Sequence, residues 1–213
     1  MSEQVYGTQN TVSSSYFKPY VLTNATRVSK LEYIDSGPQP YLEITMTRDL
    51  DGATIRDRLY QPEVKTAFKG KTKQESEKFL IQKMNTWLKE LLSLHLKPED
   101  VAKVSGTSFK SYMYAVIAAM EPKIANPEKA PLFWWKPVKS SKGYTKISQE
   151  IPNAFYKDIG QDVSQVPLTF TKHDYKFQHV SPTKNEGNDE SQEMDPEAED
   201  RYASSDNDVN DRY

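Results

Sequence analysis

The sequence predicts a mixed α+β fold, mainly β, with two helices inserted between two groups of strands. Three observations predict it. Apolar and polar residues alternate with period two between residues 28 and 61, and apolar residues recur every three or four positions between residues 74 and 120. The segment of residues 185–213 has no apolar period and carries 11 acidic against 2 basic side chains, so we expect a disordered acidic tail.

The first group of strands is predicted from residue 28 onwards. In PYLEITMT, Leu42, Ile44 and Met46 alternate with polar or aromatic neighbours, which is typical of a half-buried strand. The turn sequence RDLDG and a second alternating segment follow, so residues 28–61 are predicted to form a three-stranded meander. Residues 1–26 are rich in Ser, Thr, Asn and Gln, and we interpret them as a flexible arm.

Two helices are predicted next, as an insertion that covers about residues 74–121. The first helix, residues 74–94, has an apolar stripe that includes Trp87. The second helix follows an N-cap at Thr107 or Ser108 and is predicted to end at Pro122.

A further group of strands is predicted after the insertion. Residues 132–148 indicate a hairpin around the turn SSKG, and Leu168 and Phe170 indicate one more strand over residues 167–171. Residues 27–184 therefore form one predicted domain.

The motifs of several enzyme classes are missing from the sequence. The chain has no Cys, its three His residues lack metal-ligand spacing, and no glycine-rich phosphate loop occurs. Asp49 and Asp51 lie in a predicted hairpin turn, where carboxylates are common. We therefore expect a non-enzymatic protein without cofactor or metal. No apolar run is long enough to span a membrane, so we expect a cytoplasmic location.

Charge is divided unequally along the chain. The 213 residues carry a net charge of −2, but residues 1–184 hold 26 basic and 19 acidic side chains, a net charge of +7. The tail of residues 185–213 has a net charge of −9. A basic body with an acidic tail is a pattern associated with nucleic-acid interaction.

Lysines and aromatic residues are interleaved after the insertion. Residues 129–149 contain five lysines and no acidic residue. Single-stranded nucleic acid is bound by cations along its phosphates and by aromatic rings that stack on bases, at about 1–3 kcal/mol per base. Strand alternation predicts that one of Trp134 and Trp135 points into the core and the other outward. Alternatively, the aromatic residues form the core and the lysines a solvated face.

Two further basic patches lie in the segment KTAFKGKTKQ and on the predicted strand with Arg56 and Arg58. The candidate stacking residues are Trp134, Trp135, Phe133, Tyr144 and Tyr60. The candidate phosphate contacts are Lys136, Lys139, Lys142, Lys146, Arg56, Arg58, Lys69, Lys71 and Lys73.

The order of these segments resembles phage-type single-stranded DNA-binding proteins of the OB-fold class. The resemblance covers about residues 28–158 and the tail, and rests on PYLEITMT, RDRLYQP, SFKSYMYAVI and KGYTKIS. It implies an OB-fold-like five-stranded barrel that coats single-stranded DNA in replication and recombination, largely without sequence preference, in the host cytoplasm. It also implies that the tail recruits partner proteins. We further expect the tail to compete with DNA for its site, with Asp206, Asp208, Asp211 and Tyr213 as candidate contacts. Unlike the family pattern, the tail ends in Arg212 and Tyr213 instead of an acidic run before Phe.

Two other functions fit the same patterns. A protein-interaction module, such as a phage inhibitor or an assembly factor, would use the aromatic residues as core and interface and would not bind DNA. An RNA-binding chaperone would use the same cations and rings, since nothing in the sequence marks recognition of a 2′-hydroxyl. The sequence leaves the oligomeric state open, including a homo-oligomer.

Overall fold

The computed structural model describes residues 17–150 and 153–180. Their fold is mixed α+β, with a five-stranded antiparallel sheet in the order β3-β2-β1-β4-β7 and a separate hairpin β5–β6. The strands are β1 (Thr23–Ile34), β2 (Tyr41–Arg48), β3 (Thr54–Tyr60), β4 (Phe133–Trp135), β5 (Pro137–Lys139), β6 (Thr145–Ile147) and β7 (Phe155–Lys157). The helices are α1 (Lys73–Ser93), α2 (Pro98–Val101) and α3 (Phe109–Ile124). The five-stranded sheet is open, with β3 and β7 at its edges, and does not close into a barrel.

The predicted meander is confirmed as β1–β2–β3. Leu42, Ile44 and Met46 on β2 are all buried, while the intervening side chains lie on the opposite face. Strand β1 begins at Thr23, which brings the last residues of the predicted N-terminal arm into the sheet. The rest of that arm, residues 1–16, lies outside the described residues.

The helical insertion is also confirmed, with one correction. Thr72 caps α1 in a capping box with Glu75, and Ser108 caps α3 as predicted. Pro122 does not end α3, because the helix continues to Ile124. Ile124 packs against the main core, and this contact favours a final turn despite the N–H that the proline lacks.

The main core lies between the inner face of the sheet and helices α1 and α3. Helix α1 contributes one face that includes Trp87, Leu88 and Leu91, and all three are buried. Helix α3 contributes Met113, and its first turn packs through Phe109 beside Tyr33 of β1. The period of three to four residues in the sequence therefore marks the faces that are removed from water.

The segment predicted as one hairpin is shared between two sheets. Phe133–Trp135 forms β4, which pairs with β1 and β7, whereas Pro137–Lys139 forms β5 and pairs with β6. The change occurs at Lys136, whose carbonyl accepts from the N–H of Ser148. Only the second half of the predicted hairpin is thus a hairpin.

No strand forms over residues 167–171, contrary to the prediction. These residues belong to a segment, residues 163–180, that we call the C-terminal strap. The Lys136 ammonium donates to the carbonyl of Thr169, and the Asp174 carboxylate accepts from the N–H of Thr171 at 2.7 Å. Side chains thus bind backbone groups that would otherwise pair with a neighbouring strand.

In the described part of the chain, no helix has the length and apolarity to cross a membrane.

Candidate functional site

The outer face of the meander is polar and carries exposed cations. Cross-strand register places Lys30, Thr45 and Arg56 side by side, and then Glu32, Glu43 and Arg58. We call this surface the meander face; it comprises Lys30, Glu32, Tyr41, Glu43, Thr45, Arg56, Arg58 and Tyr60. Its residues alternate with the buried positions of the same strands, so the core fixes their direction.

Arg58 is held in place on the meander face by aromatic and acidic neighbours. Its guanidinium lies 5.0 Å from the centre of the Tyr41 ring and 3.7 Å from the Glu43 carboxylate. The Tyr41 and Tyr60 rings are 5.2 Å apart, and Tyr60 is buried. Partial burial lowers the pKa of Arg58, but the bond to the Tyr60 hydroxyl and the nearby acidic groups outweigh it and raise this pKa. The guanidinium is therefore a fixed positive charge above an aromatic pair.

Arg56 differs from Arg58 because it has no partner among the described residues. It is exposed and lies opposite Thr45 on the middle strand. A guanidinium in this position keeps all its donors for an external anion.

A loop of lysines connects β3 to α1. Lys69, Lys71 and Lys73 are all exposed, as predicted for phosphate contacts. The ammonium of Lys71 lies 4.5 Å from the centre of the Phe79 ring, which is 38% exposed. The ammonium groups of Lys69 and Lys73 have no ion pair or hydrogen bond within residues 17–150 and 153–180.

The tip of the hairpin β5–β6 presents the exposed aromatic Tyr144. Its N–H donates to the Ser140 hydroxyl at 3.1 Å, and Gly143 takes a φ of 81°, which L side chains rarely adopt. The tyrosine is 44% exposed, whereas Lys142 and Lys146 are half-buried. The hairpin lies beside β3, because the N–H of Ile147 donates to the Asp57 carboxylate at 2.9 Å.

Four of the five predicted stacking residues are buried. Phe133 and Trp135 are in the main core, where the indole N–H of Trp135 donates to Thr26, and Tyr60 lies below Arg58. Trp134 points to the other side of the sheet, as alternation requires, but Val166 and Leu168 of the strap cover it there. The two tryptophans therefore alternate as expected, but the strap covers the outward-pointing Trp134 and removes it from solvent.

Two predicted phosphate contacts are engaged with the strap. Lys136 is 1% exposed, and its ammonium is 3.4 Å from the Asp174 carboxylate. The Lys139 ammonium donates to the carbonyls of Gln178 and Val180. As placed, these lysines fix the strap to the body and are not free to contact phosphate.

Sequence reasoning missed Lys30 and Tyr41, which the register brings into the meander face. Strand pairing would have found them, because Lys30 lies opposite Thr45 and Tyr41 opposite Tyr60. The predicted tail contacts Asp206, Asp208, Asp211 and Tyr213 lie outside the described residues. Within the described ranges, no group of three His, Asp or Glu side chains could hold a metal ion.

Comparison with known proteins gave no match. Neither the protein-family models nor the curated proteins nor the solved structures contain one that matches this chain. The function of the chain is therefore inferred from its own geometry.

Proposed function

We propose that this chain is a non-enzymatic single-stranded DNA-binding protein that binds largely without sequence preference. The observation that carries the proposal is the meander face, where Arg56, which has no partner among the described residues, and the ring-supported Arg58 lie on one side of the sheet. Guanidinium groups bind phosphate and also stack on bases. The lysine loop and Tyr144 would extend the path of the strand.

The strand order supports an OB-fold-like arrangement as the finer description. Strand β1 pairs with both β2 and β4, β5 continues from β4 after one residue, and β6 lies beside β3. An OB-fold binds oligonucleotides on its second and third strands and on two adjacent loops. In this chain those strands carry Arg56 and Arg58, and the tip of the hairpin β5–β6 corresponds to one of the loops.

The acidic tail is part of the proposal. With 11 acidic and 2 basic side chains in residues 185–213, it is a polyanion attached to a body of net charge +7. It would compete with DNA for the cations of the body and, once displaced, would contact replication or recombination proteins.

The test is fluorescence anisotropy with labelled oligo-dT over a range of salt concentrations. We expect binding that weakens steeply with salt, because counterions are released from the phosphates. Removal of residues 185–213 should tighten binding, and Arg56→Ala with Arg58→Ala should weaken it. The absence of binding at low salt, both with and without the tail, would refute the proposal.

A protein-interaction module is the second candidate, and two exposed aliphatic residues favour it. Leu50 and Ile159 are 84% and 75% exposed. Their loops are adjacent, since Ala25 accepts from the N–H of Asp49 and donates to the carboxylate of Asp158. A mobility shift assay with single- and double-stranded DNA separates the candidates, because the module would bind neither. A competition between DNA and RNA of the same sequence tests the RNA-chaperone alternative.

A further inference from the structure

The helical insertion forms most of the lining of an open pocket that is separate from the meander face. A cavity of about 590 Å³ lies between α1, the loop from α2 to α3, and the first turn of α3. Pockets for small ligands commonly have volumes of about 300–1,000 Å³. Met84 and Val101 supply apolar lining, and Phe109 and Tyr112 supply aromatic rings. We call this cavity the helical pocket.

Two polar side chains that line the helical pocket, Asn85 and Tyr112, have no hydrogen-bond partner in the described part of the chain. Asn85 is half-buried in the middle of α1, its amide oxygen is shielded from water, and neither amide atom has a hydrogen bond there. The hydroxyl of Tyr112 is also unpaired among these residues, and burial raises the pKa of this tyrosine, so it stays a donor at neutral pH.

Asn85 lowers the stability of the folded chain at its position in α1. Asn is a poorer helix former than Leu by a few tenths of a kcal/mol, and a buried amide oxygen without a partner is a further cost. A leucine at this position would avoid both costs. A side chain that stabilises neither its helix nor the core is best explained by a group that binds to it.

We propose that the helical pocket binds a single unstacked adenine base of the bound strand, with Asn85 as the reading residue. An Asn amide pairs with the exocyclic amine and N7 of adenine through two hydrogen bonds, and the two amide positions exchange by rotation about one bond. The rings of Phe109 and Tyr112 provide an apolar surface for the base.

The charge of the lining and the position of the helical pocket are both compatible with binding of a nucleic-acid base. Glu77 and Lys89 are the charged lining residues, so the lining is close to neutral, which suits a base whose phosphate stays outside. Gln61 also lines the pocket and directly follows Tyr60, the last residue of β3. A strand that runs along the meander face would therefore reach the pocket at the end of β3, and in this respect the inference rests on the proposed function.

The experiment uses the full chain with ¹³C-methyl methionine. Of the six Met residues, Met84 lines the pocket and Met46 lies in the main core, so their NMR signals separate local binding from general change. The ligands are dAMP and dTMP up to about 10 mM, a range that detects weak affinities, and a peptide of residues 201–213. The variants are Asn85→Leu and, as a matched control on an exposed position of the same helix, Gln82→Leu.

We expect dAMP to shift Met84 and not Met46, and dTMP to bind about tenfold more weakly, because thymine lacks the amine and N7 acceptor of adenine. Asn85→Leu should abolish the shift and raise the unfolding temperature, whereas Gln82→Leu should keep the shift. The gain in stability excludes misfolding as the reason for the loss. Three results would overturn the proposal: equal shifts of Met84 with dTMP and dAMP, a shift of Met84 with the peptide of residues 201–213 but not with dAMP, or no shift of Met84 with any ligand.

These outcomes are independent of the test of the proposed function. If oligo-dT binds and dAMP leaves Met84 unchanged, the adenine pocket fails and the DNA-binding proposal stands. If dAMP shifts Met84 and oligo-dT does not bind, the DNA-binding proposal fails and the helical pocket is a mononucleotide site.

Discussion

The ion pair between Lys136 and Asp174 gives the sharpest prediction about stability. The side chains of both residues are 1% exposed, and the carboxylate also accepts from the Ser148 hydroxyl and from the N–H and hydroxyl of Thr171. Asp174→Ala would leave a buried ammonium without its counter-ion and three further donors without this acceptor. Breaking a buried pair from one side costs about 3–5 kcal/mol, so we expect a loss of this size in the free energy of unfolding.

Equilibrium unfolding in urea measures this loss, with two comparisons. Asp162→Ala is the matched control, because Asp162 is an exposed carboxylate that caps a single turn of the same strap, and its loss should cost much less. The double variant Lys136→Met/Asp174→Leu removes both charges and should be more stable than Asp174→Ala by at least about 2 kcal/mol. If Asp174→Ala costs no more than Asp162→Ala, the ion pair does not hold the strap and the reasoning is wrong.

Three further predictions concern pH, salt and packing. Burial lowers the pKa of His95, so the unfolded chain takes up a proton at a higher pH than the folded chain does. Stability should therefore decrease as the pH falls from 7 to 5, and less so in His95→Phe, as measured by urea unfolding at both pH values. Arg56→Ala should reduce the slope of log affinity against log salt for oligo-dT by about 0.7, the value for one phosphate contact on a single strand. The control Lys123→Ala on α3 should leave this slope unchanged. Equal slopes for the unmodified chain and both variants would contradict the role of Arg56. Gly106→Ala would place a Cβ 2.3 Å from a backbone nitrogen of α3 and should cost about 1–3 kcal/mol in thermal unfolding, whereas Gly37→Ala, with open space around it, should change little. Equal stability of the two glycine variants would show that the loop before α3 yields without strain.

The sequence predicted the elements whose faces are sharply divided between water and core. The alternation of Leu42, Ile44 and Met46 with polar neighbours predicted β2, and the spacing of Trp87 and its apolar neighbours predicted α1. In both elements the local periodicity of the sequence determines which positions are buried, so the pattern is sufficient to predict the element. Strand β7 has only three residues, too few for a period to be evident, and was not predicted.

The candidate site was harder to predict because exposure depends on segments far away in the sequence. Trp134 and Lys136 have the composition of a nucleic-acid surface, but the strap, about 30 residues further on, covers them. Arg56 and Lys69 are exposed as expected, since their own loops and strands set their environment. Local patterns thus identified the residue types and missed the long-range contacts that bury some of them.

The division of neighbouring side chains between the two sides of the sheet has a practical consequence for spectroscopy. All three tryptophans are buried: Trp87 and Trp135 report on the main core, and Trp134 reports on the strap. Their emission is therefore a measure of internal packing, and bound DNA would not reach an indole on the surface. A change in Trp134 emission without a change in the other two would show that the strap had opened while the core stayed folded. The chain thus contains its own probe for separating partial opening from global unfolding.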